Sequence, residues 1–211
     1  MTRYLTTLLF AFSAVALGST GNIGKVNSSI TLEAGQQAGN VSTVNGSITI
    51  HADARAQDVE TVNGSIKLHA RAQAQDVETV NGSVLVAEDV LVGGSVDVVN
   101  GGITLRRGAR VDGELENVNG DIQLEGAVVR GGIETTNGDV RIGTGSRVEG
   151  GIHVEKPGGW GWNTSHRLPR VTVESGAVVN GTLRFDREVE LEVASDATIG
   201  PLEGVTPRRV K

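Results

Sequence analysis

The tripeptide V-N-G returns along this chain at a nearly fixed step, and that step is the strongest constraint on what the chain can fold into. The asparagines are Asn27, Asn45, Asn63, Asn81, Asn100, Asn119 and Asn137, separated by 18, 18, 18, 19, 19 and 18 residues. The string AQDVETVNGS occurs identically from Ala56 to Ser65 and from Ala74 to Ser83. So constant a period is the mark of a solenoid, in which each repeat stacks on its neighbours and buries a core it could not close alone. Ser28 replaces the first Gly and Thr136 the last Val, the drift common in terminal repeats.

After each Asn comes a short run of period two: SITI from Ser47, SIKL from Ser65, SVLV from Ser83, GITL from Gly102, DIQL from Asp121 and DVRI from Asp139. Such alternation, rich in β-branched residues, predicts strands with the aliphatic positions on one side. A second apolar mark stands four residues before the Asn, at Val41, Val59, Val77, Val96, Leu115 and Ile133. Between the two marks lies a Gly- or Ala-rich bend, as in GARVDG from Gly108 and GSRVEG from Gly145. The predicted fold is therefore all-β: a single-stranded parallel β-helix, or β-solenoid, of about 18 residues per coil with three short faces. Coils stacked ~4.8 Å apart, about eight or nine in all, make a rod about 40 Å long.

The Asn-Gly pair is expected at a corner between faces, where both residues tolerate positive φ. Asn45, Asn63, Asn81, Asn100, Asn119 and Asn137 would then bond side chain to side chain as a ladder along the rod. An antiparallel meander turned by Asn-Gly hairpins is the competing reading. It calls for a turn signal every ~8–12 residues, against the 18 found here.

With 30 glycines and only 3% aromatics, the core must be built from Val, Ile, Leu and Ala. The chain opens MTRYLTTLLFAFSAVALGST, with Arg3 ahead of an apolar run from Leu8 to Leu17 and small residues at Ala14 and Ala16. This predicts a signal peptide over residues 1–18 and a periplasmic or cell-surface location, an uncleaved anchor being the alternative. No later stretch is apolar enough to span a membrane. The chain has no cysteine for a disulfide framework. Its net charge of −6 argues against nucleic acid as the main partner. The expected organisation is repeats over 19–155, a Trp-containing loop insertion over 156–169, final coils and a cap over 170–204, and a basic tail over 205–211.

The recurrent V-N-G-[SD]-[IV]-x-[LVI] resembles the adhesin-type β-strand-repeat family of bacterial envelope proteins. The units GARVDGEL at Gly108, GSRVEGGI at Gly145 and GAVVNGTL at Gly176 resemble those of bactofilins. The resemblance extends from about Gly24 to Gly200 and implies a triangular parallel β-helix, with self-polymerisation as the bactofilin expectation. Bactofilins are cytosolic or lie against the inner face of the membrane, so the export signal favours the envelope group.

No G-x-S-x-G elbow, Walker loop, H-E-x-x-H or cysteine nucleophile is present. Solenoid acyltransferases use a hexad Gly repeat and a catalytic His, and Gly does not recur here every six residues. His51 and His69 stand 18 apart, each just after an inward aliphatic, and should project outward from adjacent coils. Two imidazoles could share a metal but do not close a site; duplication of the segment accounts for both, and no metal or cofactor is expected. Three residues before each Asn, the column Glu60, Glu78, Asp97, Glu116 and Glu134 predicts an acidic stripe. It reads either as a solvated face or as a weak site for hard divalent cations.

The irregular segment KPGGWGWNTSHRLP, from Lys156 to Pro169, holds both tryptophans. Its Trp160, Trp162, His166 and Arg167 are candidate contacts for an envelope protein or glycan, or else the tryptophans seal the solenoid's side. REVELEV, from Arg187 to Val193, reads as a charged end cap against end-to-end pairing. The expected function is a non-enzymatic structural or adhesive solenoid of the envelope. The alternatives are a scaffold that polymerises end to end or side by side, and an envelope enzyme using His153 or His166.

Overall fold

A computed structural model of the chain describes residues 21–157 and 167–209; the expected signal peptide, residues 1–18, lies outside them. The chain winds as an all-β parallel solenoid with three parallel sheets, of ten, ten and seven strands. In each regular coil a five-residue strand such as Val59–Asn63 joins the first sheet. A three-residue strand such as Ile66–Leu68 then joins the second, and a two-residue strand such as Gln73–Ala74 the third. Register advances by one repeat per coil: Val41 pairs with Val59, Val59 with Val77 and Val77 with Val96. The step of 18 or 19 residues is the one that the Asn marks predict, and all pairing among the described residues is parallel, which excludes the meander there.

The core is a set of aliphatic columns along the rod axis. Val41, Val59, Val77, Val96 and Leu115 line it from the first sheet, and Ile48, Ile66, Val84, Ile103 and Ile122 from the second, all 0–1% exposed. Small residues, Ala54, Ala72, Ala109 and Ala127, fill the narrow corner before the third sheet. Burying each larger aliphatic contributes about 1.5–3 kcal/mol, so a few per coil must offset the ordering of a whole coil.

The Asn ladder is present. Six bonds of 2.8–3.1 Å run from Asn45 to Asn27, Asn63 to Asn45, Asn81 to Asn63, Asn100 to Asn81, Asn119 to Asn100 and Asn137 to Asn119. Each Nδ2 donates to the Oδ1 of the preceding coil. The expected positive φ is met at this corner by the glycine of three coils, 157° at Gly82, 152° at Gly101 and 142° at Gly120, and by none of the described asparagines. φ near 60–75° belongs to the bend between the second and third sheets, at Gly35, Asp53, Arg71, Asp89, Gly108, Gly126, Gly145 and Gly176. At the Asn-Gly corner glycine is required by space as well. A Cβ on Gly64 would lie 2.0 Å from the Gly46 carbonyl oxygen, and one on Gly82 2.0 Å from that of Gly64.

Those same corner carbonyls accept a buried hydroxyl. Thr61 Oγ1 donates to Gly46 O and Thr79 Oγ1 to Gly64 O, both at 2.9 Å. In a later coil Asn117 takes the position, its Nδ2 donating to Gly101 O at 2.9 Å. In these coils the inward position two before the ladder Asn is polar and satisfies a corner carbonyl; before Asn100 it is the apolar Val98, and Thr135 Oγ1 is buried with no hydrogen-bond partner.

The break in the repeat falls at this corner. Ile152 of the first sheet pairs with Leu183, a step of 31 residues in place of 18 or 19. Among the described residues no Asn continues the ladder beyond Asn137; Arg187 reaches back instead, its Nη1 donating to Asn137 Oδ1 at 3.1 Å and to Thr136 O at 3.2 Å. The inward column becomes apolar there, with Val154 and Phe185 fully buried. The chain end also departs from expectation. Glu190–Val193 is followed in the second sheet by Arg208–Arg209, so the basic residues form a strand over the expected cap and Arg208 pairs with Glu188 at 2.8 Å.

Gly64→Ala is expected to cost about 2–4 kcal/mol by forcing the coils apart. Gly35→Ala, with positive φ but open space around its Cβ, should cost about 1 kcal/mol. Urea unfolding of the two variants checks the order.

Candidate functional site on the outward face of the first sheet

Strand alternation turns the second and fourth residues of each first-sheet strand outward. Register places Ser42, Glu60, Glu78, Asp97, Glu116, Glu134, His153 and Arg184 one above another. The predicted acidic stripe is therefore one column, continued by an imidazole and a guanidinium that the Asn marks do not reach. Beside it Val44, Val62, Val80, Val99 and Val118 form a half-buried apolar column, and the exposed Asn ladder borders that.

Carboxylates one strand spacing apart repel and are partly desolvated by their neighbours. Burial, then Glu78, raises the pKa of Glu60; burial, then Asp76, raises that of Glu78. Asp97 is pushed up to about 7 by burial first, then by Glu116 and Glu78. Its side chain is one methylene shorter than Glu, so the carboxylate lies down against the sheet, where Oδ1 is buried with no hydrogen-bond partner.

At the column's C-terminal end the chemistry changes. His153 Nδ1 lies 3.7 Å from Glu134 Oε2, and His153 Nε2 lies 2.9 Å from Asp186 Oδ2. Asp186 also accepts from Arg184 Nε at 3.0 Å, and the His153 bond, with Arg184, holds its pKa below the ordinary value. Glu155, just past the end of the strand Ile152–Val154 that carries His153, meets Glu134: burial and then a hydrogen bond shared with Glu155 raise the Glu134 pKa. Gly132 and Gly151 line the open groove beneath, together with Glu114 and Thr182.

The other sequence candidates are dispersed. His51 and His69 do lie in adjacent coils, but their rings stack, centroids 5.0 Å apart and 8° from parallel, so faces and not lone pairs meet. Trp160, Trp162 and His166 lie outside the described residues. Arg167 pairs with Asp139, whose Oδ1 also accepts from Arg170 N at 3.0 Å, tying down the stem that re-enters the second sheet. On the opposite edge a wider open recess is lined by Arg106, Arg107, Arg141, Glu125 and Glu174; Arg106 pairs with Glu125 and Arg141 with Glu174.

The gathering of Glu134, His153, Glu155 and Asp186 is not foreseen from the sequence, where His153 stands only as an alternative catalytic residue. One signal was available: His153 follows Glu134 by 19, the coil step, and Glu155 follows by the strand period. Asp186 lies beyond the break, where counting fails. Comparison with family models, curated proteins and solved structures finds no match to this chain.

An acid whose pKa rises on folding destabilises the fold once ionised. For Asp97 that penalty is absent below the ordinary value of 3.8 and complete above about 7. Asp97→Asn should therefore stabilise by about 1–2 kcal/mol at about pH 8, less than the full linkage value because the carboxylate keeps some solvent, and have almost no effect below about pH 4. Equal effects in chemical denaturation at both ends would refute the assignment.

Proposed function

We propose that the protein is an exported, non-enzymatic scaffold of the bacterial cell envelope, which binds or adheres through the outward face of its first sheet. The supporting observation is the register of that face: carboxylate, valine and asparagine columns run side by side at one strand spacing. Such an array suits an extended envelope protein or glycan, with each coil adding a weak contact and the rod supplying avidity. The resemblance to envelope adhesin-type repeats and the apolar amino-terminal segment agree with this reading. The Trp segment, which in sequence follows the first-sheet strand Ile152–Val154, is the second proposed contact region.

The full chain lacking residues 1–18 should co-sediment with isolated cell-envelope fragments. Val62→Lys with Val99→Lys should lower retention at least several-fold with β-rich circular dichroism unchanged, since each contact is weak and repeated. Equal retention of parent and variant would count against this face.

A second reading, the self-polymerising scaffold, is favoured by a separate observation. The exposed large apolar side chains among the described residues, Val26, Leu202 and Val205, all lie in the two terminal coils. Head-to-tail stacking would cover them and pair Leu202–Gly204 with another chain's first coil. Filaments by negative-stain microscopy, lost on Leu202→Glu with Val205→Glu, are the expected result; a monodisperse monomer at high concentration would remove this reading.

A further inference from the structure

We infer that Glu134, His153 and Glu155 form a binding site for one divalent first-row transition ion, with Asp186 as the residue that orients the imidazole. This goes beyond the scaffold reading and does not depend on it. One ligand atom from each of the three residues lies within 4.8 Å of the others. An ion bound at ~2.0–2.2 Å from each needs these atoms somewhat closer together, and the half-exposed side chains can close that gap by rotation. The backbone already fixes the arrangement. Glu134 and His153 are register partners on adjacent strands, and Glu155 stands two residues from His153 on the same outward face.

The decisive feature is the far side of the ring. His153 Nε2–H donates to Asp186 Oδ2 at 2.9 Å, and Asp186 is itself held by Arg184. That bond places the proton on Nε2 and leaves the Nδ1 lone pair on the side of Glu134, whose Oε2 lies 3.7 Å away. A carboxylate behind a ligating imidazole fixes its tautomer and raises its basicity, the arrangement typical of protein metal centres. One nitrogen and two oxygens select Zn²⁺, Co²⁺ or similar ions over Ca²⁺, which prefers an all-oxygen shell. The remaining coordination positions face the open groove, so a ligand atom from a bound partner could complete the shell.

The test is titration of the untagged full chain with Co²⁺, following its visible d–d bands, with Zn²⁺ and Ca²⁺ as competitors. One Co²⁺ per chain is expected, displaced by Zn²⁺ and not by Ca²⁺. His153→Gln and Glu155→Gln should abolish the bands while circular dichroism stays unchanged, and Asp186→Asn should weaken binding by roughly 10- to 100-fold. Because His51 and His69 offer the rival imidazole pair, His51→Gln with His69→Gln should leave binding intact. Absence of Co²⁺ bands in the parent chain, their persistence in His153→Gln, or their loss only in the His51 and His69 variant would each overturn the assignment.

Discussion

The structure depends on how closely one coil's backbone can lie on the next at the Asn-Gly corner. The carbonyl of Gly46 occupies the space that a Cβ on Gly64 would need, so the coils meet at strand spacing only where no side chain intervenes. That contact brings the Asn amides within bonding distance and leaves corner carbonyls that Thr61, Thr79 and Asn117 satisfy in their coils. It also keeps the aliphatic columns in register, since a slip of one residue would turn every buried Val and Ile outward. Hydrophobic burial supplies most of the stabilisation; the corner decides the alignment in which it is realised.

The registry that stacks valines inside also stacks carboxylates outside. A surface pair of like charges in water costs about 1 kcal/mol or less, small beside the aliphatic burial of each coil, so the fold tolerates the acidic column. Tolerance has a local cost at Asp97, whose short side chain cannot reach water as Glu does. Where the column passes from Glu134 to His153, repulsion gives way to complementarity, and the Arg184 to Asp186 to His153 chain of hydrogen bonds follows. Site and column are thus one construction, differing in which residue occupies the outward position.

The periodic part of this architecture was legible in the sequence. The Asn step gave the coil, the alternation gave inward and outward positions, and together they placed Glu60 to Glu134 in one column and the asparagines in one ladder. What the sequence left out is the second reason for the glycine: positive φ holds at Gly82, Gly101 and Gly120, and the close approach of the coils, visible only in the three-dimensional stack, selects the same residue. The left-handed bend was hidden because Asp53, Arg71 and Asp89 occupy positions that Gly108 and Gly126 fill in later coils. The metal-ligating group was hidden differently. Glu134, His153 and Glu155 obey the period, but Asp186 lies past a break whose length no pattern reveals, and without it His153 is a lone outward histidine.

Arg187 carries the ladder column across that break, contacting Asn137 from the coil that follows the insertion. Its long side chain makes the join between the two halves of the rod independent of the chain that runs between them. The strands on either side of residues 156–169, Ile152–Val154 and Arg170–Val173, are already paired with their neighbours, so lengthening the sequence between them adds a loop-closure cost of about 0.6 kcal/mol per doubling. The rod therefore has a natural splice point, where sequence can be exchanged or extended without retuning the core. A lineage built on this coil could vary its recognition there while every stacked column stayed the same.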